Sequence, residues 1–432
     1  MRSFALYAIL IAGVHAWTSP SVPFPRVTTT GTSTPLASTK IDKQYYTFME
    51  APVQTQSGTA ARITLTRYLA DQVKADPSLR DLESLLLAIQ MGCKTISHLV
   101  HRAGLVYSIT REQNEQEKSK DDYKDGRFYS MKRLDQLSTI VLKNALKYTG
   151  KCETVAPVPK QDSESPAQHQ PGVLIARALD SNYVACLDPL DGSGNADASI
   201  CTGTIFGIFE QPDDDKGGDE DEQANRAKSG DERAQELIDS VLQPGKNMRA
   251  AGYCLYSSAT VLVFTLGDTV QGFTLDPQIN EFVLTHPDLT IPRRGTVYSC
   301  NEGNSEGWDE SYKEYLRNLK TGKGETGQRY AHRYVGSMVG DIHRTLLYGG
   351  IFAYPADTQA HPEGNLQLLY KSSPMALVVH HAGGRAIDGR TGNLLDVRPE
   401  RVHQKSPCFL GSPEDVAELE SYLLKSLSKV IQ

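Results

Sequence analysis

Apolar residues recur at helical spacing in three parts of the chain. Residues 82–100 and 131–148 carry leucines, isoleucines and valines three or four positions apart, and residues 337–347 show a similar pattern. A period near 3.6 residues indicates amphipathic helices. We therefore predict a helix over each of these segments.

Shorter runs rich in valine, isoleucine and aromatic residues predict strands. Such runs, bounded by glycine, proline or polar residues, are typical of sheet structure. The predicted strands are residues 183–187, 204–209, 260–266 and 270–275, and further strands follow Pro292. Strands mixed with helices along one chain predict an α/β fold.

Three polar stretches separate the predicted elements. Residues 111–127 are mostly charged, and residues 155–172 contain four prolines, which predicts a loop. Residues 210–243 begin with runs of aspartate and glutamate. Because acidic runs of this kind are usually solvated, we expect a mobile insert there.

The N-terminus has the composition of a targeting leader. Arg2 precedes an apolar run that ends near Ala16, which predicts a signal peptide over residues 1–16. The run is too short to span a bilayer, so we predict no membrane association. Residues 17–62 then form a transit-like segment and N-terminal arm, rich in serine, threonine and proline as far as Lys40. The two parts resemble the plastid-targeting leader of algae with complex plastids; a plain secreted protein is the alternative.

Composition narrows the function classes. The 432 residues are 39% hydrophobic and 22% charged, with a formal net charge of −7. Such a chain is long enough for two domains, and its acidic balance disfavours nucleic acid as a partner. The seven cysteines form no CxxC pair. The spacing therefore predicts neither a disulfide framework nor a zinc site.

The run DPLDGSGN, which follows an apolar strand, carries the clearest chemistry. Asp188 and Asp191 lie three residues apart, and Gly192 permits a tight turn after them. Carboxylates are the ligands that magnesium prefers, and the amides near Gly192 and Ser193 can hold a phosphate. A metal between phosphate and carboxylates polarises the ester and activates a water. Asp-Pro and Asp-Gly are also common turn formers, but the complete run is more specific and predicts a metal-dependent phosphatase.

This run resembles the metal loop of the lithium-sensitive sugar phosphatases, and later segments resemble the fructose-1,6-bisphosphatase family. These segments lie at residues 203–207, 250–253, 301–303, 333–338 and 343–350. The resemblance implies two stacked α/β domains in an α-β-α-β-α sandwich. The N-terminal domain would span residues 63–291, with the acidic insert at 210–243, and the C-terminal domain residues 292–432.

The same resemblance implies an activity and a site. The activity would be magnesium-dependent hydrolysis of the 1-phosphate of fructose 1,6-bisphosphate in plastid carbohydrate metabolism, by a homotetramer. Asp188 and Asp191 would be catalytic and would bind the metal together with Leu190. The sugar and its phosphates would contact Gly192, Ser193, Asn301, Arg333, Tyr334, Met338 and Tyr354. In the family, the arginine that matches Arg333 comes from the neighbouring subunit.

Several positions depart from the family pattern. Residues 154–160 replace a Ser-Glu-Glu run of metal ligands and contain no carboxylate. A shifted ligand from Glu153, Asp162 or Glu164 remains open. Lys371 stands where the family has a metal-binding glutamate, and Ile140 where it has an aspartate that activates water. We therefore expect weak magnesium binding and impaired activity.

Two hypotheses follow from these departures. The chain is a weakly active bisphosphatase, or it is a catalytically weak paralogue that binds sugar phosphate or regulates active subunits. The sugar pocket also differs from the family, at Asn304, Asn365 and Gln367. Because two close carboxylates need a cation between them, we predict that a strand brings Lys371 within salt-bridge distance of Asp188 or Asp191.

Overall fold

The computed structural model describes residues 62–103, 125–157, 173–176, 182–196, 198–211 and 230–430. These residues belong to one compact unit, Ala61–Gln432. The predicted signal peptide and nearly all of the transit-like segment lie outside the described residues. So do residues 111–124 and 158–172 and the acidic run at the start of the insert.

The predicted helices are confirmed. The helices of the described residues are α1 (Leu65–Ala75), α2 (Arg80–His101), α3 (Asp125–Lys147), the four-residue α4 (Ser193–Ala196), α5 (Gly230–Val241), α6 (Glu310–Thr321), α7 (Met338–Tyr348), α8 (Ser373–His381) and α9 (Pro413–Val430). Helix α7 begins after Ser337, whose side chain accepts a hydrogen bond from the amide of Gly340. A serine at this position satisfies an amide that has no partner within the helix.

A mostly antiparallel sheet forms the first half of the described fold. Its strands are β1 (Cys152–Pro157), β2 (Val173–Ala176), β3 (Tyr183–Asp191), β4 (Thr202–Glu210), β5 (Met248–Tyr256), β6 (Thr260–Leu266), β7 (Val270–Asp276) and β8 (Glu281–His286). The order is β2-β1-β3-β4-β5-β6-β7-β8, and only β1 and β3 pair in parallel. The four strands predicted from the sequence are all present.

A second sheet forms from the C-terminal part of the chain. Its strands are β9 (Val297–Ser299), β10 (Ala331–His332), β11 (Ile351–Tyr354), β13 (Arg385–Ile387) and β15 (Cys408–Gly411), in the order β10-β9-β11-β15-β13. Two short strands, β12 (Leu366–Gln367) and β14 (Lys405–Ser406), pair separately. Strand β9 pairs in parallel with both β10 and β11, which places the residues after these strands along one edge.

Alternating side chains place helices on both faces of the first sheet. Val184 and Cys186 belong to a buried cluster with α5, α7, α8 and the second sheet. Ala185 and Leu187 belong to a cluster with α1, α2 and α3. Helices α6 and α9 pack on the far face of the second sheet. The layers are therefore α-β-α-β-α, which confirms the predicted fold class.

Two segments that we predicted to be loops contain regular structure. Strand β1 continues to Pro157 and pairs with β2, so residues 155–157 are not loop. Helix α5 occupies residues 230–241, the second half of the predicted mobile insert. Its Ile238 and Val241 are buried, and this apolar contact stabilises a helix that the acidic composition had obscured.

The cysteines are unpaired, as the sequence predicts. Six are buried and Cys201 is partly buried. In the part of the chain that the structure describes, no helix has both the length and the apolar character needed to cross a membrane.

We expect the stability of this fold to fall below pH 6.5 because of His343. Burial lowers the pKa of His343 to about 4, and its Nδ1 lies 2.8 Å from the hydroxyl of Tyr253. The unfolded chain, with a histidine pKa of about 6.5, binds the proton more readily. The unfolding free energy should therefore decrease by about 2 kcal/mol between pH 6.5 and pH 5 from this group alone. Urea unfolding of the wild type and of His343→Gln at both pH values checks this. The same decrease in unfolding free energy from pH 6.5 to pH 5 in the two proteins would contradict it.

Candidate active site

A β-bulge aims the two aspartates of the DPLDGSGN run at one point. Asp188 pairs with Ile205 of β4, whereas Asp191 pairs with Gly203, so three steps along β3 match two steps along β4. In a regular strand, residues three apart face opposite sides of the sheet. The extra residue in the bulge reorients the strand and lets both carboxylates face the same side.

Lys371 lies between these carboxylates. Its Nζ is 2.7 Å from Oδ2 of Asp188 and 2.8 Å from Oδ1 of Asp191. The lysine side chain is only 17% exposed, and the aspartate side chains are 10% and 7% exposed. The predicted salt-bridge contact is confirmed for both partners. The predicted strand is wrong, because Lys371 lies in a turn of π-helix, Leu368–Ser372, that leads into α8.

The three groups form a buried ionic cluster. Burial raises the pKa of Asp188, and the ammonium of Lys371 only partly offsets this effect, to which the charge of Asp191 adds. Burial alone lowers the pKa of Lys371, but Asp188 and Asp191 outweigh burial and raise it well above the ordinary value. The lysine is therefore a permanent cation at the centre of the site.

Helix α7 fixes the orientation of Asp191. The hydroxyl of Ser337 donates to Oδ2 of Asp191 at 3.2 Å, and the amide of Val339 donates to the same oxygen at 3.4 Å. The adjoining Gly192 has φ of +70°, and a Cβ atom there would lie 3.1 Å from Cβ of Ser337. The turn thus requires glycine both for its backbone conformation and for this close approach.

Asp135 of α3 is a site residue that sequence reasoning missed. Burial raises the pKa of Asp135 to about 7, while a hydrogen bond from Ser193 lowers it and the charge of Asp188 raises it. Ile140, which stands where the family has the acidic residue, is 47% exposed on the same helix. Helix α3 therefore brings a carboxyl group near the loop from a position other than 140. A helical pattern could have found Asp135, because Thr139 and Leu142, four and seven residues on, are buried.

Glu153 lies away from the two aspartates along the sheet. It pairs with Val184 in the sheet, and its Oε2 lies 3.4 Å from the amide nitrogen of Gln211. Val184 precedes Asp188 by four residues, which corresponds to about 13 Å along the strand. Asp162 and Glu164 lie outside the described residues.

Part of the predicted sugar pocket gathers near the ionic cluster. Burial raises the pKa of Tyr334 to about 12, and the nearby Tyr354, Asp341 and Asp191 add to this effect. Met338 follows Ser337 at the start of α7 and is 5% exposed, packed in the central cluster. The position of Met338 also fits ordinary core packing.

Asn301 and Arg333 lie at the edge of the second sheet. The amide of Arg333 donates to the carbonyl of Tyr298 at 3.0 Å, and the side chain of Asn301 caps the turn that follows β9. The guanidinium of Arg333 is exposed and donates to the carbonyl of His332 at 2.8 Å. The described contacts join neither residue to Asp188 or Asp191.

The three positions of the predicted sugar pocket that differ from the family pattern, Asn304, Asn365 and Gln367, lie in two different parts of the fold. Asn304 is exposed in the turn after β9. Asn365 and Gln367 lie at β12, and the Nζ of Lys405 donates to Oδ1 of Asn365 at 2.7 Å. A lysine on the paired strand β14 therefore supplies a cation beside Asn365.

The residues present do not fit a magnesium ion between the two aspartates. Magnesium requires a near-octahedral shell of oxygens. Here the point that both carboxylates face holds the ammonium of Lys371. This group supplies one positive charge and three hydrogen-bond donors, but no coordination site for a phosphate oxygen.

Family models match most of the chain. The model described as "Fructose-1-6-bisphosphatase, N-terminal domain" matches residues 63–287. The model described as "Fructose-1-6-bisphosphatase, C-terminal domain" matches residues 291–424.

Individual proteins show the same similarity. Fructose-1,6-bisphosphatase 1, chloroplastic, of Arabidopsis thaliana is 41% identical over 360 residues, which cover 83% of this chain and 80% of the relative. The cytosolic fructose-1,6-bisphosphatase of Oryza coarctata is 41% identical over 364 residues, 83% and 93% of the two chains. The holo crystal structure of Leishmania major fructose-1,6-bisphosphatase superposes with a TM-score of 0.67 and 37% identity, covering 84% of this chain and 99% of that one.

Proposed function

We propose a function from the premise that this chain belongs to the fructose-1,6-bisphosphatase family. In this proposal the chain binds fructose 1,6-bisphosphate and hydrolyses its 1-phosphate at a greatly reduced rate. The observation that carries this proposal is the position of Lys371. Its Nζ lies 2.7 and 2.8 Å from the carboxylates of Asp188 and Asp191, which in the family resemblance hold a metal.

A fixed ammonium is a poor substitute for a metal ion in this chemistry. A divalent metal stabilises developing charge by several kcal/mol and makes a bound water acidic. The Lys371 ammonium carries half that charge, and the two aspartates already neutralise it. We infer that magnesium binds weakly and that no strong electrophile faces the phosphate ester.

The remaining groups support residual proton transfer. A carboxyl group with a pKa of about 7, such as Asp135, can take up or release a proton near neutral pH. Ser193, in the loop that follows β3, favours the charged form of Asp135 and lowers its pKa in part. We propose that Asp135 accepts the proton of a water that attacks the phosphate.

We propose that sugar-phosphate binding is better preserved than catalysis. Arg333 offers an exposed fork of donors that suits a phosphate, and Tyr334 and Tyr354 offer neutral hydroxyls. Lys405, beside Asn365, adds a cation. As the family resemblance implies, Arg333 would act across a subunit boundary of a homotetramer.

We propose that the chain works in the plastid. The leader composition and the chloroplastic names of several relatives, including that from Spinacia oleracea, support this location. A role in plastid carbohydrate metabolism follows from the substrate that these names give.

The alternative is a sugar-phosphate-binding or regulatory subunit without useful turnover. The Lys371 cluster favours it, because the ammonium occupies the point between the two aspartates while the layered fold and its exposed Arg333 are preserved. Mixing the chain with an active chloroplastic relative distinguishes the two. Co-assembly with altered activity of the relative would support the alternative.

The direct test is phosphate release by the purified chain. At neutral pH with millimolar magnesium and fructose 1,6-bisphosphate, we expect a rate at least about 1,000-fold below that of a chloroplastic relative assayed in parallel, since several kcal/mol of transition-state stabilisation are missing. Calorimetry should still detect binding of the bisphosphate, weakened in Arg333→Ala. A rate equal to that of the relative would refute impaired activity.

A further inference from the structure

A second cluster of ligand-type side chains lies outside the Lys371 site. Cys300 follows β9, Glu302 begins the turn after it, and His332 lies in β10. One ligand atom from each of the three lies within 4.8 Å of the others. Because β9 and β10 pair side by side, with His332 opposite Tyr298, the fold joins residues that are distant in sequence.

We propose that Cys300, Glu302 and His332 form a zinc-binding site. Sulfur, imidazole nitrogen and carboxylate oxygen are the ligand types that zinc prefers, and magnesium does not use the first two. Three protein ligands leave one tetrahedral position for water. On zinc binding, the thiol proton of Cys300 passes to solvent, as metal binding to a thiol requires.

Neighbouring groups already hold two of the ligands in place. The Nε2 atom of His332 lies 2.8 Å from the carbonyl oxygen of Cys300. Since a carbonyl only accepts, Nε2 donates in this contact, which leaves Nδ1 as the nitrogen that can bind a metal. The ring also stacks on Tyr298, with centroids 5.0 Å apart. Such outer contacts orient metal-bound histidines.

Glu302 is ionised and fixed. Burial raises the pKa of Glu302, but hydrogen bonds from Lys320 and Tyr298 outweigh it and lower the pKa. The hydroxyl of Tyr298 donates to Oε1 at 2.6 Å, and the Nζ of Lys320 donates to Oε2 at 2.7 Å. Each oxygen keeps a second lone pair for a metal.

Zinc binding requires a closure of the ligand atoms and the ionisation of a buried thiol, since burial raises the pKa of Cys300 to about 12. In a tetrahedral zinc site with bonds of about 2.0–2.3 Å, ligand atoms lie about 3.5 Å apart, so the present spread must close by about 1 Å. His332 is exposed and able to make this shift, whereas Cys300 is buried. The adjacent Lys320 is 43% exposed and competes with the cation for Glu302.

The proposal is independent of phosphatase activity. Asn301 and Arg333 directly follow Cys300 and His332 in the sequence, so the bound zinc would lie next to the predicted phosphate-binding edge. Zinc binding itself is nevertheless the observable, and it has the same outcome whether the chain hydrolyses a sugar phosphate or not.

The test is a titration of the full chain with zinc alone, followed by cobalt as a spectroscopic probe. We expect one zinc per chain, and a near-ultraviolet thiolate-to-cobalt band. Cys300→Ser should abolish the band. His332→Ala, which removes an exposed ring, should weaken zinc binding at least about 100-fold, the upper range for loss of even an outer partner.

Controls within the same chain separate this site from adventitious binding. His98→Ala removes another exposed histidine, and Cys201→Ser removes a partly buried thiol; neither should change the zinc affinity. Lys320→Met should tighten zinc binding, because it removes a competing cation. Equal zinc affinity in the wild type and His332→Ala, or a cobalt complex without a thiolate band, would overturn the proposal.

Discussion

Replacing Lys371 with methionine is expected to destabilise the protein by about 3–5 kcal/mol in a buffer free of divalent cations. Methionine keeps the length of the side chain but removes the charge that lies 2.7 and 2.8 Å from Asp188 and Asp191. Two buried carboxylates would then repel each other without compensation, and breaking a buried ion pair in this way costs about that much. Chemical unfolding monitored by circular dichroism measures the change.

Magnesium should rescue this variant and leave the wild type unaffected. The vacated point between the carboxylates becomes available to a cation, so the midpoint of unfolding of Lys371→Met should rise with millimolar magnesium. Lys246→Met is the matched control. Lys246 also lies 2.7 Å from a carboxylate, that of Asp396, but both side chains are more than half exposed. Its loss should cost at most about 1 kcal/mol, with no magnesium dependence. A similarly small effect at Lys371 would show that the cluster is not the buried cation site described here.

Replacing Lys371 with glutamate is expected to strengthen magnesium binding at least about 100-fold. The change reverses one charge beside Asp188 and Asp191, and a unit charge pair at about 4 Å contributes roughly 4 kcal/mol at an effective dielectric constant of about 20, before desolvation. Lys371→Gln, which only removes the positive charge, should give an intermediate affinity. Calorimetric titration of the three proteins with magnesium measures the series.

Turnover of Lys371→Glu should rise less than its magnesium affinity. Residues 154–160 still lack the carboxylates of the family's Ser-Glu-Glu run, so the metal shell stays incomplete. The same magnesium affinity in Lys371→Glu and the wild type would show that the charge reversal does not weaken the site.

Much of the fold could be predicted from local pattern. Helices α2, α3 and α7 follow from apolar spacing, and β6 has the predicted bounds, residues 260–266. Helix α5 could not be predicted in the same way, because the acidic start of the insert dominates its composition. Its stability comes from the burial of Ile238 and Val241 against distant elements, which a local pattern does not report.

The site was predictable where its chemistry is contiguous in sequence. The run from Asp188 to Gly192 is a recognisable sequence motif. The contact of Lys371 with the aspartates of this run can be predicted because the family resemblance aligns Lys371 with a metal ligand. The bulge that makes the two aspartates converge is a property of the β3–β4 register. The family pattern points to position 140 and not to Asp135. Which of the two side chains approaches the loop depends on which face α3 turns toward it, and sequence spacing alone does not give this.

The proposed zinc site is the feature that the sequence predicts least well, because its ligands come from segments that are far apart in the chain. Cys300 and His332 are 32 positions apart and form no recognisable spacing motif. Their proximity depends on the pairing of β9 with β10, a contact between strands of three and two residues. Strands this short give little periodic signal.

The most direct test of the central claim is a crystal structure of the wild-type chain grown with millimolar manganese, a magnesium substitute that scatters anomalously. The account predicts the ammonium of Lys371 within hydrogen-bonding distance of both Asp188 and Asp191, and no anomalous peak between them. An anomalous peak at that point, with Lys371 displaced from the two carboxylates, would contradict it.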